Sequence, residues 1–235
     1  MHNKYFSGSH LTERKFREIL ACFSNDLGAA TAAQMTQVSR PTINKLYTAF
    51  RKRIVALSTR PAYPKIGSFE LDESYFGARR KRGIRGRGAQ GKTIVFGILE
   101  RGGSVYAYVV PNCSETALLP LIQRHIDPRS VIYRDGFKTY DVLPTYGYRN
   151  LLQVNHSDNE FAKKNGSVTI TTNGIENFWS ICKVRLAKFR GMHKNTFNLH
   201  LQECTFRYNN RGKNGNKNIY KLLLREFRLC PIKLS

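Results

Sequence analysis

Three acidic residues, each in a different kind of segment, restrict the possible folds of this chain more than anything else in it. Asp72 lies in the apolar run I-G-S-F-E-L-D-E-S-Y-F-G, and Asp135 closes the run S-V-I-Y-R-D-G. Glu176 falls one turn into T-T-N-G-I-E-N-F-W-S-I-C-K, where the apolar spacing is helical. Two carboxylates on strands and a third on a later helix meet only if folding brings distant elements together. Carboxylates gathered away from water repel one another unless a cation sits between them, so the trio predicts a divalent-metal centre.

The balance of charge says what such a centre would act on. The chain carries 39 Lys and Arg against 16 Asp and Glu, a formal net charge of +23. An excess of that size costs self-repulsion that a polyanion relieves, which points to nucleic acid. An anionic membrane surface is the rival partner, but no stretch approaches the length and apolarity of a membrane span. At 41% hydrophobic and 11% aromatic, 235 residues can bury a substantial core, which excludes wholesale disorder. The five cysteines are scattered and form no C-x-x-C pair, so neither a disulfide framework nor a zinc ribbon is expected. The N-terminal M-H-N-K-Y-F-S-G-S-H has no apolar core of a signal peptide, and a cytoplasmic, nucleoid-associated protein is expected.

Residues 11 to about 57 read as helices alone. Phe16, Ile19, Leu20 and Phe23 recur at helical spacing. An Ala-rich segment follows the break at Asp26-Leu27-Gly28. Then comes R-P-T-I-N-K-L-Y-T-A-F-R-K-R-I, with Ser39 as N-cap, Pro41 in the first turn, and an apolar stripe of Ile43, Leu46, Tyr47, Phe50 and Ile54. A small-residue helix, a short turn and a basic helix make the pattern of a helix-turn-helix, expected over residues 1–60. Thr42, Asn44, Lys45 and Thr48 would then face bases, with Arg51 and Lys52 on phosphates and Arg40 also binding DNA. A three-helix packing module with solvated basic residues is the alternative.

After a proline-broken linker (Pro61, Pro64) the pattern changes to strands: I-G-S-F-E-L-D-E-S-Y-F, K-T-I-V-F-G-I-L-E, S-V-Y-A-Y-V-V, then S-V-I-Y-R-D and Y-R-N-L-L-Q-V-N-H, with a helix between the third and fourth. Helices return with the stripe Ile175, Phe178, Trp179, Cys182, Leu186 and with Phe197, Leu201, Cys204, Tyr208. Such an order describes an α/β fold: a mixed sheet flanked by helices, preceded by a small all-α helix-turn-helix domain.

E-L-D-E-S-Y-F-G, Y-R-D-G-F-K-T-Y, V-N-H-S, N-G-I-E-N-F-W-S-I-C-K and F-R-Y-N-N-R, in this order, closely resemble the DDE transposases of small bacterial insertion sequences. The resemblance covers residues 66 to about 211 and implies an RNase H-like catalytic domain, expected over 66–212, with a basic helical tail over 213–235. It implies that Asp72, Asp135 and Glu176 form the metal-binding triad. Glu70 and Glu73 compete with Asp72 on the residues alone, since strand alternation puts Glu70 on the same face as Asp72, and the resemblance selects Asp72. Two Mg²⁺ ions about 3.5–4 Å apart, with Mn²⁺ as substitute, suit hard oxygen ligands and an in-line phosphoryl displacement.

Further residues follow from the same reading. Lys183 stands seven residues after Glu176, on the same helix face, where the resembling family often carries a base near the DNA backbone. His156 matches a histidine usual in the family. It either orients a phosphate or a metal-bound water, or serves as a hydrogen-bonded core histidine. Asn173 is the candidate N-cap of the Glu176 helix, and Trp179 is expected to pack in the core. Arg79, Arg80, Lys81, Arg82, Arg85, Arg87 and Lys92 form a glycine-rich basic loop suited to tracking phosphates.

The expectation is therefore an insertion-sequence transposase that binds terminal inverted repeats and cuts and joins double-stranded DNA, as at least a dimer when two ends are joined. A catalytically inactive DNA-binding regulator and an RNase H-like nuclease without strand joining are the competing readings.

Overall fold

The computed structural model describes residues 3–59, 63–77, 92–154, 163–165, 168–189, 192–212 and 215–233. The chain divides into two compact units, Met1–Arg60 with Gln202–Ser235, and Pro61–Leu201.

The first unit is helical. Helix α1 (Glu13–Ser24) begins at Thr12, whose side chain accepts from the Lys15 amide. Helix α2 (Ala29–Thr36) follows a turn in which Asp26 has φ 59°. Helix α3 (Arg40–Ser58) starts where the sequence predicts, with the Ser39 hydroxyl accepting from the Thr42 amide and Pro41 in the first turn. The stripe Ile43, Leu46, Tyr47, Phe50 and Ile54 is buried throughout. Phe50 lies at the centre of an aromatic cluster, with ring centroids 5.7 Å from Phe16, 5.2 Å from Phe23 and 5.1 Å from Phe227.

Phe227 belongs to helix α7 (Gly215–Leu229), which buries Ile219, Leu223 and Phe227. Helix α7 falls in the stretch expected as a basic helical tail, and its 3.6-residue apolar spacing places Ile219, Leu223 and Phe227 in the helical core. The division between the units falls within helix α6 (Lys194–Asn209), earlier than the boundary expected at 212. The physical reason is Glu203 and Arg207 on its second half. Glu203 pairs with Arg51 at 2.7 Å and with Arg207 at 2.8 Å, and Arg207 donates to the carbonyls of Phe23 and Ser24 at the end of α1.

The second unit is the expected α/β, RNase H-like mixed sheet flanked by helices. Strands β1 (Ser68–Phe76), β2 (Thr93–Glu100), β3 (Val105–Val110), β4 (Val131–Arg134) and β5 (Asn150–Gln153) lie in the order β3-β2-β1-β4-β5. β2 runs antiparallel to both β1 and β3, whereas β4 is parallel to both β1 and β5. A parallel neighbour needs a crossover, and helix α4 (Glu115–His125) supplies it between β3 and β4.

Alternation along β1 sorts its side chains. Phe69 and Leu71 join Phe96, Ile98, Leu118, Ile122, Ile132, Tyr140 and Leu143 in one core layer, with α4 and the 3-10 helix Lys138–Tyr146. Glu70 and Asp72 point to the other face, against which helix α5 (Asn173–Ala187) packs. A short hairpin, β6 (Lys163–Asn165) and β7 (Val168–Ile170), was not expected from the sequence, although two residues of turn-forming type, Gly166-Ser167, separate its strands.

Candidate functional site

Register brings the first two acids together. Ser68 lies beside Val131, Phe69 beside Ile132 and Glu70 beside Tyr133, so two further steps set Asp72 level with Asp135, one residue past the end of the adjacent parallel strand. β4 stops at Arg134, and Asp135 begins a turn in which its Oδ1 accepts from the Phe137 amide at 3.0 Å. Carboxylate oxygens of Asp72, Glu73 and Asp135 all lie within 4.8 Å of one another. Among the described residues none of the three pairs with a Lys or Arg.

Asp72 is held from two sides. Its Oδ1 accepts from the Glu73 amide at 2.8 Å, and its Oδ2 accepts from Trp179 Nε1 at 2.9 Å. The indole fits there because the residue paired with Asp72 on β2 is Gly97. A Cβ on Gly97 would come within 2.4 Å of the Trp179 ring. Burial first, then the negative charge of Asp135, pushes the Asp72 carboxyl up to about 6, and Glu176 adds in the same direction. Burial pushes Glu73 up to about 7, with Asp135 and Asp72 adding to the rise and the Tyr140 hydroxyl opposing it by donating to Oε1. Such a site resists its own ionisation, and a divalent cation would reverse that resistance. The donors are hard carboxylate oxygens, which fit Mg²⁺ or Mn²⁺.

Glu176 lies in the first turn of α5, where its Oε1 accepts from the Thr172 hydroxyl at 3.0 Å. It stands outside the group of three, but its charge still raises Asp72. The N-cap of α5 is Thr172 rather than Asn173. Asn173 is the first helical residue, and its amide donates to Thr171 Oγ1 at 3.0 Å. Trp179 is buried, as expected, and also serves the site through its N–H. Lys183 is exposed two turns beyond Glu176. His156 and the stretch Arg79, Arg80, Lys81, Arg82, Arg85 and Arg87 lie outside the described residues; Lys92, just before β2, is half-buried.

The competition among the acids of β1 resolves by partner. Glu70 is neutralised by Arg101, its Oε1 accepting from Nε at 2.9 Å. Glu73 sits with Asp72 and Asp135 although alternation sends it to the opposite face, because β1 runs on past the end of its pairing with β4. The sequence reading set Glu73 aside. Its signal was present in Tyr140 of Y-R-D-G-F-K-T-Y, the hydroxyl that holds it.

On the helical unit, Arg40, Asn44, Lys45 and Lys52 are exposed on α3, and Thr42 and Thr48 are half-buried. Asn44, Lys45, Thr48 and Lys52 line a groove of ≈ 610 Å³. Arg51, expected to face phosphate, does not: its side chain is 10% exposed and bound to Glu203. A guanidinium facing the core stays charged, and a carboxylate beside it offsets the hydration it has lost. No helix among the described residues is long and apolar enough to cross a membrane.

Residues 66–209 match the model of the ISXO2-like transposase domain. An "uncharacterized transposase-like protein" of Haemophilus influenzae is 39% identical over 121 residues, which are 52% of this chain and 94% of that protein. An "uncharacterized protein in transposable element ISH50" of Halobacterium salinarum is 28% identical over 176 residues, 67% of this chain and 58% of that protein. The chain thus spans little more than half of the second relative's length.

Proposed function

This chain belongs to the ISXO2-like transposase family, and from that premise we propose that it is an insertion-sequence transposase that cuts and joins DNA at a carboxylate-held divalent-metal centre. The observation that carries the reading is the meeting of Asp72 on β1 with Asp135 just past the end of β4, without a compensating cation among the described residues and with Glu176 close enough to raise Asp72. Asp72, Asp135 and Glu176 would hold the metal, Mg²⁺ or in its place Mn²⁺, with Glu73 beside them. Bound divalent ions would supply charge neutralisation at a phosphodiester and a nucleophilic oxygen at neutral pH.

The chain's own residues do the positioning. Trp179 and the Glu73 amide fix both oxygens of Asp72, the Phe137 amide fixes Asp135, and Tyr140 fixes Glu73. Lys183, exposed on α5, would meet the DNA backbone beside the reacting phosphate. Water attack at the element end releases a 3′-hydroxyl. That hydroxyl then attacks a target phosphodiester, so one P–O bond forms as another breaks and no nucleotide cofactor is consumed. On the helical unit, α3 would act as a recognition helix, reading terminal repeats with Arg40, Thr42, Asn44 and Lys45 and holding phosphate with Lys52. The stretch from Arg79 to Arg87, with Lys92, would track phosphates, and joining two ends requires at least a dimer on DNA.

The test uses purified protein and the DNA that flanks the reading frame, in Mg²⁺, comparing wild type with Glu176→Ala. Cutting at a repeat boundary by wild type alone, with equal binding by both, is the expected result. Cleavage without joined products would indicate a nuclease. Binding without cutting by either protein, in Mn²⁺ as well, would indicate a regulator.

A further inference from the structure

The residues that bear on the metal centre come from three elements, and one ion pair, its carboxylate buried, touches all three. Glu70 is on β1, two residues before Asp72, and its side chain is 4% exposed. Its Oε2 accepts from the Ile175 amide at 2.9 Å. With Thr172 as N-cap, that amide is the third of α5, one of the four that no carbonyl of the helix can satisfy. A carboxylate there also suits the positive end of the helix dipole. The approach is close: a Cβ on Gly174 would lie 2.8 Å from Glu70 Oε2.

Arg101 completes the junction. Its Nε donates to Glu70 Oε1 at 2.9 Å, and Nη2 donates to the carbonyl of Thr171, just before α5, at 2.5 Å. Its guanidinium lies over the ring of Tyr133, 3.3 Å from the centroid, and Tyr133 is two residues before Asp135 on β4. Its own amide donates to the Ser68 carbonyl at the start of β1.

We propose that the Glu70–Arg101 pair is the positioning element of the metal centre, locking the first turn of α5, and with it Glu176, to the strands that deliver Asp72 and Asp135. The inference rests on the reading of Glu176 as a metal ligand. Neither residue touches the reacting atoms; they act through the placement of α5. A surface carboxylate at a helix start would have none of these consequences, because it would tie the helix to nothing.

The experiment uses the full chain and the variants Glu70→Ala, Glu70→Gln and Arg101→Lys. Hydrogen exchange in peptides containing Ile175 reads the lock itself. A titration with Mn²⁺ alone, followed through the emission of Trp179, the chain's one tryptophan, reads the metal centre, and single-turnover cleavage reads the reaction. In Glu70→Ala the Ile175 region is expected to exchange at least about tenfold faster. Its Mn²⁺ midpoint and cleavage rate should weaken by about 10- to 100-fold, with DNA binding unchanged. Glu70→Gln, which still offers an oxygen to the Ile175 amide, should recover part of each loss. Arg101→Lys, which keeps the charge but not the fork to Thr171, should fall between wild type and Glu70→Ala. Folded variants with wild-type exchange, Mn²⁺ midpoint and cleavage would overturn the proposal. So would a fall in melting temperature with the Mn²⁺ midpoint unchanged, because that is what a purely structural pair gives. If Glu70→Ala fails to fold, the other two variants are judged by the same criteria. A wild type without any Mn²⁺ response defeats the metal reading instead, and the exchange measurement still decides whether the pair locks α5.

Discussion

Each unit of this chain buries acidic side chains, and the two treat them in opposite ways. In the helical unit Glu203, 1% exposed, lies between Arg51 and Arg207, and Arg207 also closes the end of α1 through two backbone carbonyls. In the sheet unit Asp72, Glu73 and Asp135 are pressed together with hydrogen-bond donors but no partner cation among the described residues. The first arrangement closes its charge balance inside the protein and serves as scaffold. The second leaves negative charge that no Lys or Arg among the described residues balances. The contrast repeats within the sheet unit on a single strand, where Glu70 is compensated by Arg101 and Asp72, two residues on, has no such partner among the described residues.

The contrast is tested most severely by neutralising one acid of each kind. Asp72→Asn is expected to reduce DNA cleavage by roughly 10³-fold or more, about 4 kcal/mol in activation free energy. In metal-free buffer its melting temperature should hold or rise, because a repelling buried charge has been removed. Glu203→Ala should do the reverse to stability. It removes the carboxylate between two guanidiniums that are each about 90% buried, and breaking a pair of this kind costs about 3–5 kcal/mol. Urea denaturation of both variants checks the pair of predictions; a destabilised Asp72→Asn would mean that the site is scaffold after all.

The same contrast explains what the sequence could disclose. The stripe of α3 and the strand runs were legible because they depend on local periodicity, and all five stripe residues are buried. The placing of Asp72 beside Asp135 follows from two motifs and a parallel register. Arg51 was misread because its partner is 152 positions away, and helical spacing cannot tell a phosphate-facing arginine from one turned inward. Glu73 competes with Asp72 on the sequence and the resemblance selects Asp72; that Glu73 joins the cluster is not legible there, because alternation loosens where β1 outruns β4. The role of α7 was missed for a related reason: its apolar spacing is local, but the aromatic cluster it completes is not.

Acidity gives a third, smaller measure. Asp72 and Glu73 have pKa values of about 6 and about 7, above the ordinary 3.8 and 4.5. Raised acids favour the fold while protonated in it. That contribution is complete below about pH 4 and is lost as pH rises through 7. His125, buried against Tyr106 and Tyr108, runs the other way: burial pushes it from 6.5 down to about 4, so its contribution is complete above 6.5 and is lost as pH falls through 4. The two trends oppose each other, and a wild-type pH curve alone would blur them. The difference between wild type and Asp72→Asn/Glu73→Gln cancels His125. In metal-free buffer the double variant should gain on wild type between pH 4 and 7 by several kcal/mol. Saturating Mg²⁺ should shrink that gap, and a gap indifferent to Mg²⁺ would separate the acid cluster from metal binding.

The smallest change tests whether the uncompensated cluster is held as firmly as the compensated one. Gly97 lies opposite Asp72, and the missing side chain is what admits the Trp179 ring. In Gly97→Ala the new methyl would meet the indole at 2.4 Å, too close for any rotamer to absorb without displacing α5 or the ring. Overpacking of this kind costs about 1–3 kcal/mol. The displaced indole would also withdraw its N–H from Asp72 Oδ2. The expected result is a modest fall in melting temperature, a shift in Trp179 emission and a loss of cleavage larger than the fall in stability alone accounts for. Ser74 is also buried, and it pairs with Val95 two places along the same two strands, so Val95→Ile adds one methylene to a neighbouring buried position. If Val95→Ile lost cleavage as severely as Gly97→Ala at equal stability, the Trp179–Asp72 bond would be no more than packing.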